Sequence, residues 1–391
     1  MQRMWNYAVV GLLSTLWSCG ERVHPLTKPW ERAIPYQSPP EGLESLDART
    51  CGTCHRKHYE EWKISTHALA WVDPQFQEEI QKDNSPYLCI NCHAPLENQQ
   101  QHLVKGLIEG DVFRPVTEPN PRYDSTLRRE GITCAICHVR NGAVIGTRGT
   151  GLAPHKVVVD TQFLSYTLCI SCHNANAVVT ADLVCTFETG DEWASGPYFG
   201  KKSCIDCHMT AVEESWVEGH PVRRRHRHYF HGSGIPKFDS IPSVGQDGLT
   251  VSAPSIADDS LRPGDTLRYR IDVANTRAGH RVPTGDPERF IVIQLTHRAP
   301  SGDTSVRRWR VGEKWQWWPE AKKLADNNFN IGESRMYEIV VPLYQSGMHA
   351  IDIRLTKYRM DSSTLKYHKL DGYPISKTFY DTTVRFVVAG R

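Results

Sequence analysis

The last third of the chain alternates apolar and polar residues with the period of two that is typical of half-buried β-strands. In "DTLRYRIDVAN" (265–275), the side chains of Leu267, Tyr269, Ile271 and Val273 are separated by polar ones. Four further segments, separated by turns rich in Gly, Pro, Asp and Asn, look strand-like in the same way: "RFIVIQLTH", "RMYEIVVPL", "HAIDIRLTKY" and "TTVRFVVAG". Roughly seven short strands of this kind suggest a β-sandwich. The pattern predicts an all-β antiparallel sandwich, immunoglobulin-like in outline, over residues 249–391.

Residues 51–235 show a different pattern, with few long amphipathic segments. Short helical candidates are visible, such as residues 56–72, where Tyr59, Trp62 and Leu69 share one face. Residues 19–50 are rich in proline and charge, which predicts an irregular tether. We therefore expect a mostly irregular, short-helix domain over 51–235 that does not depend on a conventional apolar core.

The cysteines of this domain explain what could replace such a core. Five CxxCH motifs follow one another: "CGTCH" at 51–55, "CINCH" at 89–93, "CAICH" at 134–138, "CISCH" at 169–173 and "CIDCH" at 204–208. A redox dithiol needs one such pair, and a zinc site needs no histidine after each pair, whereas covalent c-type haem needs this whole unit. The sequence predicts five covalent haem c groups on Cys51, Cys54, Cys89, Cys92, Cys134, Cys137, Cys169, Cys172, Cys204 and Cys207, with proximal ligands His55, His93, His138, His173 and His208.

The extreme N-terminus has the composition of an export signal. Ala8–Trp17 is an apolar run too short to span a bilayer, and it is followed by Ser18 and Cys19. This ending is similar to a bacterial lipobox, so we expect a signal peptide over 1–18 and lipidation at Cys19, with ordinary signal cleavage as the alternative. Of the 12 cysteines only Cys185 is then left over, and we expect it to be a small buried apolar side chain. The protein is therefore expected outside the cytoplasm, in the periplasm or on the outer membrane.

The formal net charge of +2 gives no indication of a nucleic-acid partner. The short run "RRRHRH" (223–228) is the one strongly basic stretch. We expect its arginines to pair with haem propionates, because guanidinium forks match carboxylates, or to dock an acidic partner.

Several segments resemble the cytochrome c-554 type of multihaem cytochrome. They include "CGTCHRKHYEEWKISTHA", "WASGPYFGKKSCIDCHM", "RHRHYFHG", and "AGHRVPTGDP" followed by "DNNFNIGESR". The resemblance implies a compact array of closely stacked haems and implies electron transfer. It also implies distal ligands at His67, His155, His280 and His228, with His231 as the rival of His228. For the remaining site His102 is the nearest candidate, although the family pattern does not mark it, and we expect His58 to be a surface residue.

These observations lead to an expected function with two alternatives. The expected function is an electron relay through five haems, mostly ligated by two histidines, that exchanges electrons with other redox proteins such as cytochromes or membrane quinol-linked donors. The first alternative is a reductase or oxidase of small nitrogen or sulfur compounds with one open haem. The second is a structural, polymerising conduit assembled through the β-domain.

Overall fold

The computed structural model describes residues 21–390, except 83–86, 150, 181–182, 218 and 258–260. The expected signal peptide and Cys19 lie outside the described residues. Within those residues, no helix has the length and apolar character needed to cross a bilayer.

The helices are short, with five to nine residues each. They are α1 (Ala48–Gly52), α2 (Arg56–Trp62), α3 (Pro74–Lys82), α4 (Tyr87–His93), α5 (Ser125–Arg129), α6 (Cys134–His138), α7 (Tyr166–His173), α8 (Thr189–Ala194), α9 (Cys204–His208) and α10 (Ser362–Tyr367). Nine of the ten lie before residue 209, which agrees with the short helices that the sequence predicts there.

The strands divide into small ribbons before residue 230 and larger sheets after it. The first group is β1 (Val23–His24), β2 (His102–Ile108), β3 (Pro115–Pro119), β4 (Val139–Arg140), β5 (Ala143–Gly146), β6 (Val157–Val159), β7 (Asn176–Thr180), β8 (Leu183–Thr186), β9 (Ala211–Ser215) and β10 (Val222–His226). The second group is β11 (Leu249–Ser252), β12 (Thr266–Asn275), β13 (Phe290–Arg298), β14 (Thr304–Gln316), β15 (Lys322–Asp326), β16 (Ser334–Pro342), β17 (Gly347–Tyr358) and β18 (Ser376–Val388).

Residues 249–388, the strand-rich region, contain two antiparallel sheets. One has the order β11-β12-β16 and the other β15-β14-β13-β17-β18. Alternate side chains of both sheets, such as Ile271 on β12, Ile293 on β13 and Ile353 on β17, are fully buried in one shared apolar cluster. The alternation that predicts these strands therefore also identifies their buried face.

Residues 48–235, the cysteine-rich region, have little apolar core of their own. The largest cluster of buried apolar side chains there has five members from this region and Leu46 from the preceding segment, against 21 in the strand-rich region. The motif helices instead border a large interior space.

Residues 21–47, expected as an irregular tether, contact the cysteine-rich region. The backbone of Ile34 pairs with that of Leu96, and the Gln37 amide N–H donates to the Asn98 side chain at 3.0 Å. The buried Glu31 carboxylate accepts from the backbone of Thr27 and Lys28. This segment is therefore attached to the cysteine-rich region, because its polar groups find partners there that composition alone does not show.

The loop between β12 and β13 connects the two regions. Arg281 donates to the Glu192 carboxylate of α8 from its backbone at 3.1 Å and its side chain at 2.9 Å. Thr284 also donates to Glu192, at 2.8 Å. These contacts hold the strand-rich region against the fourth and fifth cysteine motifs.

Candidate functional site

All five CxxCH motifs line a single large cavity. Its volume is about 2950 Å³, and every cysteine and histidine of the motifs borders it. A pocket for one drug-sized ligand occupies roughly 300–1,000 Å³. The interior of the cysteine-rich region therefore has room for several such groups, and it extends to the β12–β13 loop of the strand-rich region.

The motifs present their thiols and histidine in a common local geometry. Four of them lie within a helix that ends at the motif histidine, namely α4, α6, α7 and α9. Residues i, i+3 and i+4 share one face of a helix, so both thiols and the imidazole point to the same side. The first motif begins in α1 and its His55 precedes α2. This is the arrangement that two thioether bonds and one axial ligand require.

Three of the motif histidines face a second histidine across the cavity. The ring centres of His138 and His228 are 6.2 Å apart. The pairs His67–His173 and His208–His280 show the same 6.2 Å separation.

This separation has a simple chemical meaning. Metal–imidazole bonds are about 2 Å long, so two imidazoles on opposite sides of one metal ion have nitrogens about 4 Å apart and ring centres about 6 Å apart. The three pairs are therefore spaced to hold one metal ion each.

Hydrogen bonds fix the orientation of the rings. Nδ1 of His93 donates to the carbonyl of Ala70 at 2.9 Å, and Nδ1 of His138 donates to Ile145 at 2.9 Å. His228, His280 and His208 make equivalent bonds to the carbonyls of His226, Arg281 and His231. Because Nδ1 carries the proton, Nε2 keeps a free electron pair for a metal.

Burial keeps these imidazoles neutral. It lowers the pKa of His67 to about 3 and that of His173 to about 4, with smaller contributions from neighbouring histidines. The pKa of His228 is also well below its usual range, chiefly because of burial. A neutral imidazole is the form that binds a metal, so the rings need no proton release at neutral pH.

The first motif has a histidine neighbour of a less defined geometry. Burial lowers the pKa of His55, and the charge of His155 lowers it further. His155 lies in the cavity wall, and its Nδ1 is buried without a hydrogen-bond partner among the described residues. An orphaned buried nitrogen is consistent with a ligand that occupies the cavity.

The second motif is different. Phe76 of α3 stacks on the His93 ring at 3.8 Å, with the planes 5° apart. Among the described residues no second histidine ring faces His93 at the across-metal distance. His102 lies at the exposed start of β2 and does not border the cavity.

Contacts between thiols give the order of the motifs in space, which the sequence does not reveal. Cys51 contacts Cys134, Cys92 contacts Cys172, and Cys169 contacts Cys204. Burial raises the pKa of Cys137, and the nearby Cys172 thiol raises it further. The first motif is therefore beside the third, the third beside the fourth, and the second and fifth each beside the fourth.

Two side chains in the cavity wall differ from expectation. His58 is not a surface residue: its Nδ1 is fully buried, and burial lowers its pKa to about 3. Its position three residues after His55 gave no signal of this. Cys185 borders the cavity and lies near Cys92, instead of belonging to an apolar core.

Within the basic run "RRRHRH" (223–228), Arg225 has a structural role. Arg225 is buried and donates to both oxygens of the Glu61 carboxylate, at 2.9 and 2.7 Å, and also to Glu214 at 2.7 Å. For this arginine the partner is thus a protein carboxylate. Arg223 and Arg224 are exposed on β10.

A short-helix region around five CxxCH motifs, with histidines paired across its cavity, defines a multihaem c-type cytochrome. Comparison with known proteins agrees with this class. Residues 50–109 match the family model described as cytochrome c554 and c-prime.

The fold is similar to that of a penta-heme cytochrome c552 from Thermochromatium tepidum. The TM-score is 0.62 at 14% sequence identity, over 89% of this chain and 100% of that one. The strand-rich region also matches small β-domains, including a PapD-like domain of human CEP192 (TM-score 0.19, 10% identity, 37% of this chain and 87% of that one). A score this low carries no argument. Comparison with curated proteins finds no relative of this sequence.

Proposed function

We propose that this protein is an extracytoplasmic cytochrome that carries five covalent haem c groups and relays electrons through them. The ten motif cysteines would attach the haems. His55, His93, His138, His173 and His208 would be their proximal ligands. The carrying observation is that three histidine pairs share the 6.2 Å spacing that ligation of one iron from both sides requires.

The distal ligands in this proposal are His228, His67, His280 and His155, for the third, fourth, fifth and first motifs respectively. A haem held between two histidines supplies one-electron transfer and leaves no free position for a substrate. The protein residues supply fixed ligand orientation and exclude water. His280 makes the strand-rich region part of this machinery, because Arg281 and Thr284 fasten its loop to α8.

The motif contacts support a route for the electrons. The first, third, fourth and fifth motifs form a continuous series, and the second joins it at the fourth. We infer that electrons move along this series and leave it to another redox protein, either a cytochrome or a quinol-linked donor or acceptor at the membrane.

The ligand assignment is tested most directly at His280. His280→Ala should convert one low-spin haem to high-spin and let it bind carbon monoxide when reduced, while the intact mass still shows five haems. His102→Ala is the matched control, because His102 is exposed and lies outside the cavity. An unchanged electron paramagnetic resonance spectrum in His280→Ala would contradict the assignment.

Export and membrane attachment form a separate part of the proposal. Haem attachment to CxxCH motifs needs an exported chain, and the N-terminal pattern supports lipidation of Cys19. Cys19→Ala should release the protein from membrane fractions in soluble form, with haem content unchanged. Equal partitioning of the wild type and the variant would exclude lipidation. We also propose that the two sheets of the strand-rich region form an immunoglobulin-like sandwich, since they share one core.

A second candidate function is a reductase or oxidase of small nitrogen or sulfur compounds. The observation that favours it is the second motif, where Phe76, and no second histidine among the described residues, contacts the His93 ring. The oxidised wild-type protein should then show one high-spin haem among four low-spin ones, and nitrite or sulfite should perturb that signal alone. Five low-spin signals would exclude an open site.

A further inference from the structure

Two rings of the cavity wall are not assigned to any iron by the proposed function, yet they lie between rings that are. His58 of α2 is 5.7 Å from His55 and 4.8 Å from His228, measured between ring centres, and both contacts are edge-on with planes 81° apart. Phe230 is 5.6 Å from His228 and 4.3 Å from His67. The result is a continuous row of five rings: His55, His58, His228, Phe230 and His67.

The row joins three haem sites. On the ligand assignment proposed above, on which this inference rests, His55 belongs to the first motif, His228 to the third and His67 to the fourth. These are the motifs that the thiol contacts also place in series. The ring row and the motif contacts thus give the same order.

The backbone at Phe230 shows that this ring is held in place at a cost. Its φ angle is 49°, in the left-handed region that a bulky side chain rarely adopts. Such strain persists only where the surroundings determine the conformation, and it is found preferentially at functional positions. Here the strained backbone puts the ring between His228 and His67, where it also packs against the apolar cluster of Ala48, Trp62 and Ala68.

The His58 side chain also has an unusual feature. Its Nδ1 is buried and makes no hydrogen bond to the described residues. A leucine or phenylalanine would fill this position without burying an unsatisfied nitrogen. The ring therefore satisfies a requirement other than packing alone.

We propose that His58 and Phe230 are positioning residues that fix the imidazole planes of His55, His228 and His67 as one row. They would touch neither the iron nor an electron donor. They would act through the axial ligands, whose orientation tunes the electronic state of a low-spin haem. One ligand of each of the first, third and fourth haems would then belong to this row of contacting rings. The fifth haem, ligated by His208 and His280, has no ligand in the row.

The test uses the holoprotein and substitutions that remove or keep the ring. Phe230→Leu should shift the low-spin resonance signals and midpoint potentials of the third and fourth haems. His58→Leu should shift those of the first and third. Phe230→Tyr and His58→Phe, which keep a ring, should stay closer to the wild type. The signal of the fifth haem should move least in each of these variants, because within the described part of the chain Phe230 is linked to it only through the neighbouring His231 carbonyl that holds His208. The mass should still show five haems.

Phe199→Leu is a control for loss of an aromatic ring outside the row, since Phe199 is exposed and packs on Trp193. Unchanged spectra in both leucine variants would overturn the proposal, and so would an equal disturbance of all the haems including the fifth. The proposed function fails separately, if His228→Ala and His67→Ala leave the low-spin signals intact.

Discussion

The cysteine-rich and strand-rich regions solve the problem of a stable interior in opposite ways. The strand-rich region buries 21 apolar side chains in one cluster, and its sheets come directly from the alternation of the sequence. The cysteine-rich region has short helices around a cavity of about 2950 Å³. The side chains around a cavity of that size do not reach one another, so they do not form a close-packed interior by themselves. The comparison teaches that the strand-rich region is specified by its apolar side chains, and the cysteine-rich region by the groups that its side chains bind.

The largest expected effect therefore comes from preventing haem attachment. Produced without the cytochrome c assembly machinery, the full chain should lose the fold of residues 48–235 and keep that of residues 249–388. Limited proteolysis with mass spectrometry should yield a resistant fragment that begins near residue 249. Equal protection of both regions would show that the cavity walls are stable alone.

Within the cysteine-rich region, loss of one buried ion pair should strongly lower the free energy of unfolding. Arg225→Ala leaves the buried Glu61 carboxylate without its cationic partner, with only the backbone N–H of His228 among the described residues still donating to it. Loss of one member of a buried ion pair costs about 3–5 kcal/mol. Guanidinium unfolding followed by haem absorbance should show the loss. Arg298→Ala is the matched control, because Arg298 pairs with Asp352 on the exposed face of the strand-rich region. Its effect should be too small to measure.

In the strand-rich region the sensitive positions are apolar. Ile353 is fully buried on β17, and Ile→Ala at such a site costs about 2–5 kcal/mol. Tryptophan fluorescence should show that the strand-rich region of the Ile353→Ala variant unfolds at a lower denaturant concentration. The low-spin haem signals should stay unchanged at low denaturant. Met336→Ala, at a side chain that is 56% exposed, should leave the transition in place.

The smallest effect concerns a histidine pair inside the strand-rich region. His297 Nε2 lies 2.9 Å from His349 Nδ1, and burial first, then His349, lowers the pKa of His297 below 6.5. The unfolded chain therefore binds a proton that the folded one does not. The stability contributed by neutral His297 is complete above pH 6.5 and is lost as the pH falls through that value.

His297→Leu should flatten this pH dependence between about pH 7 and pH 5, and thermal unfolding at several pH values measures it. His24→Leu, at a side chain that is 48% exposed, is the control. An unaltered slope in His297→Leu would mean that other groups set the acid sensitivity.

The sequence predicts most strands of the strand-rich region well because one face of each of these strands is buried. Thus β12, β13, β16, β17 and β18 coincide with the five alternating segments. The hairpin β14–β15 is missed, since most of β14 before Val311 is exposed and its segment "TSVRRWR" (304–310) has no apolar face. Pattern analysis detects a strand only where burial imposes the pattern.

For the candidate site, the motifs are visible in the sequence itself, whereas the opposing histidines are expected only through the family resemblance. A CxxCH unit is local, but the histidine that faces it across the cavity can lie far away in the chain, as His67 does, 106 positions before His173. The structure places His67, His228 and His280 opposite motif histidines, but His102 outside the cavity. The burial of His58 could not be predicted, because its position three residues after His55 does not show that its ring also contacts His228.

The β12–β13 loop has a consequence for how the molecule is made. His280 stands 72 positions after His208, on a loop that Arg281 joins to Glu192. If the chain is exported as proposed above, the cysteines of the fifth motif would cross the membrane ahead of this histidine. Completion of the proposed fifth site would then follow translocation of the loop and of the two strands that carry it.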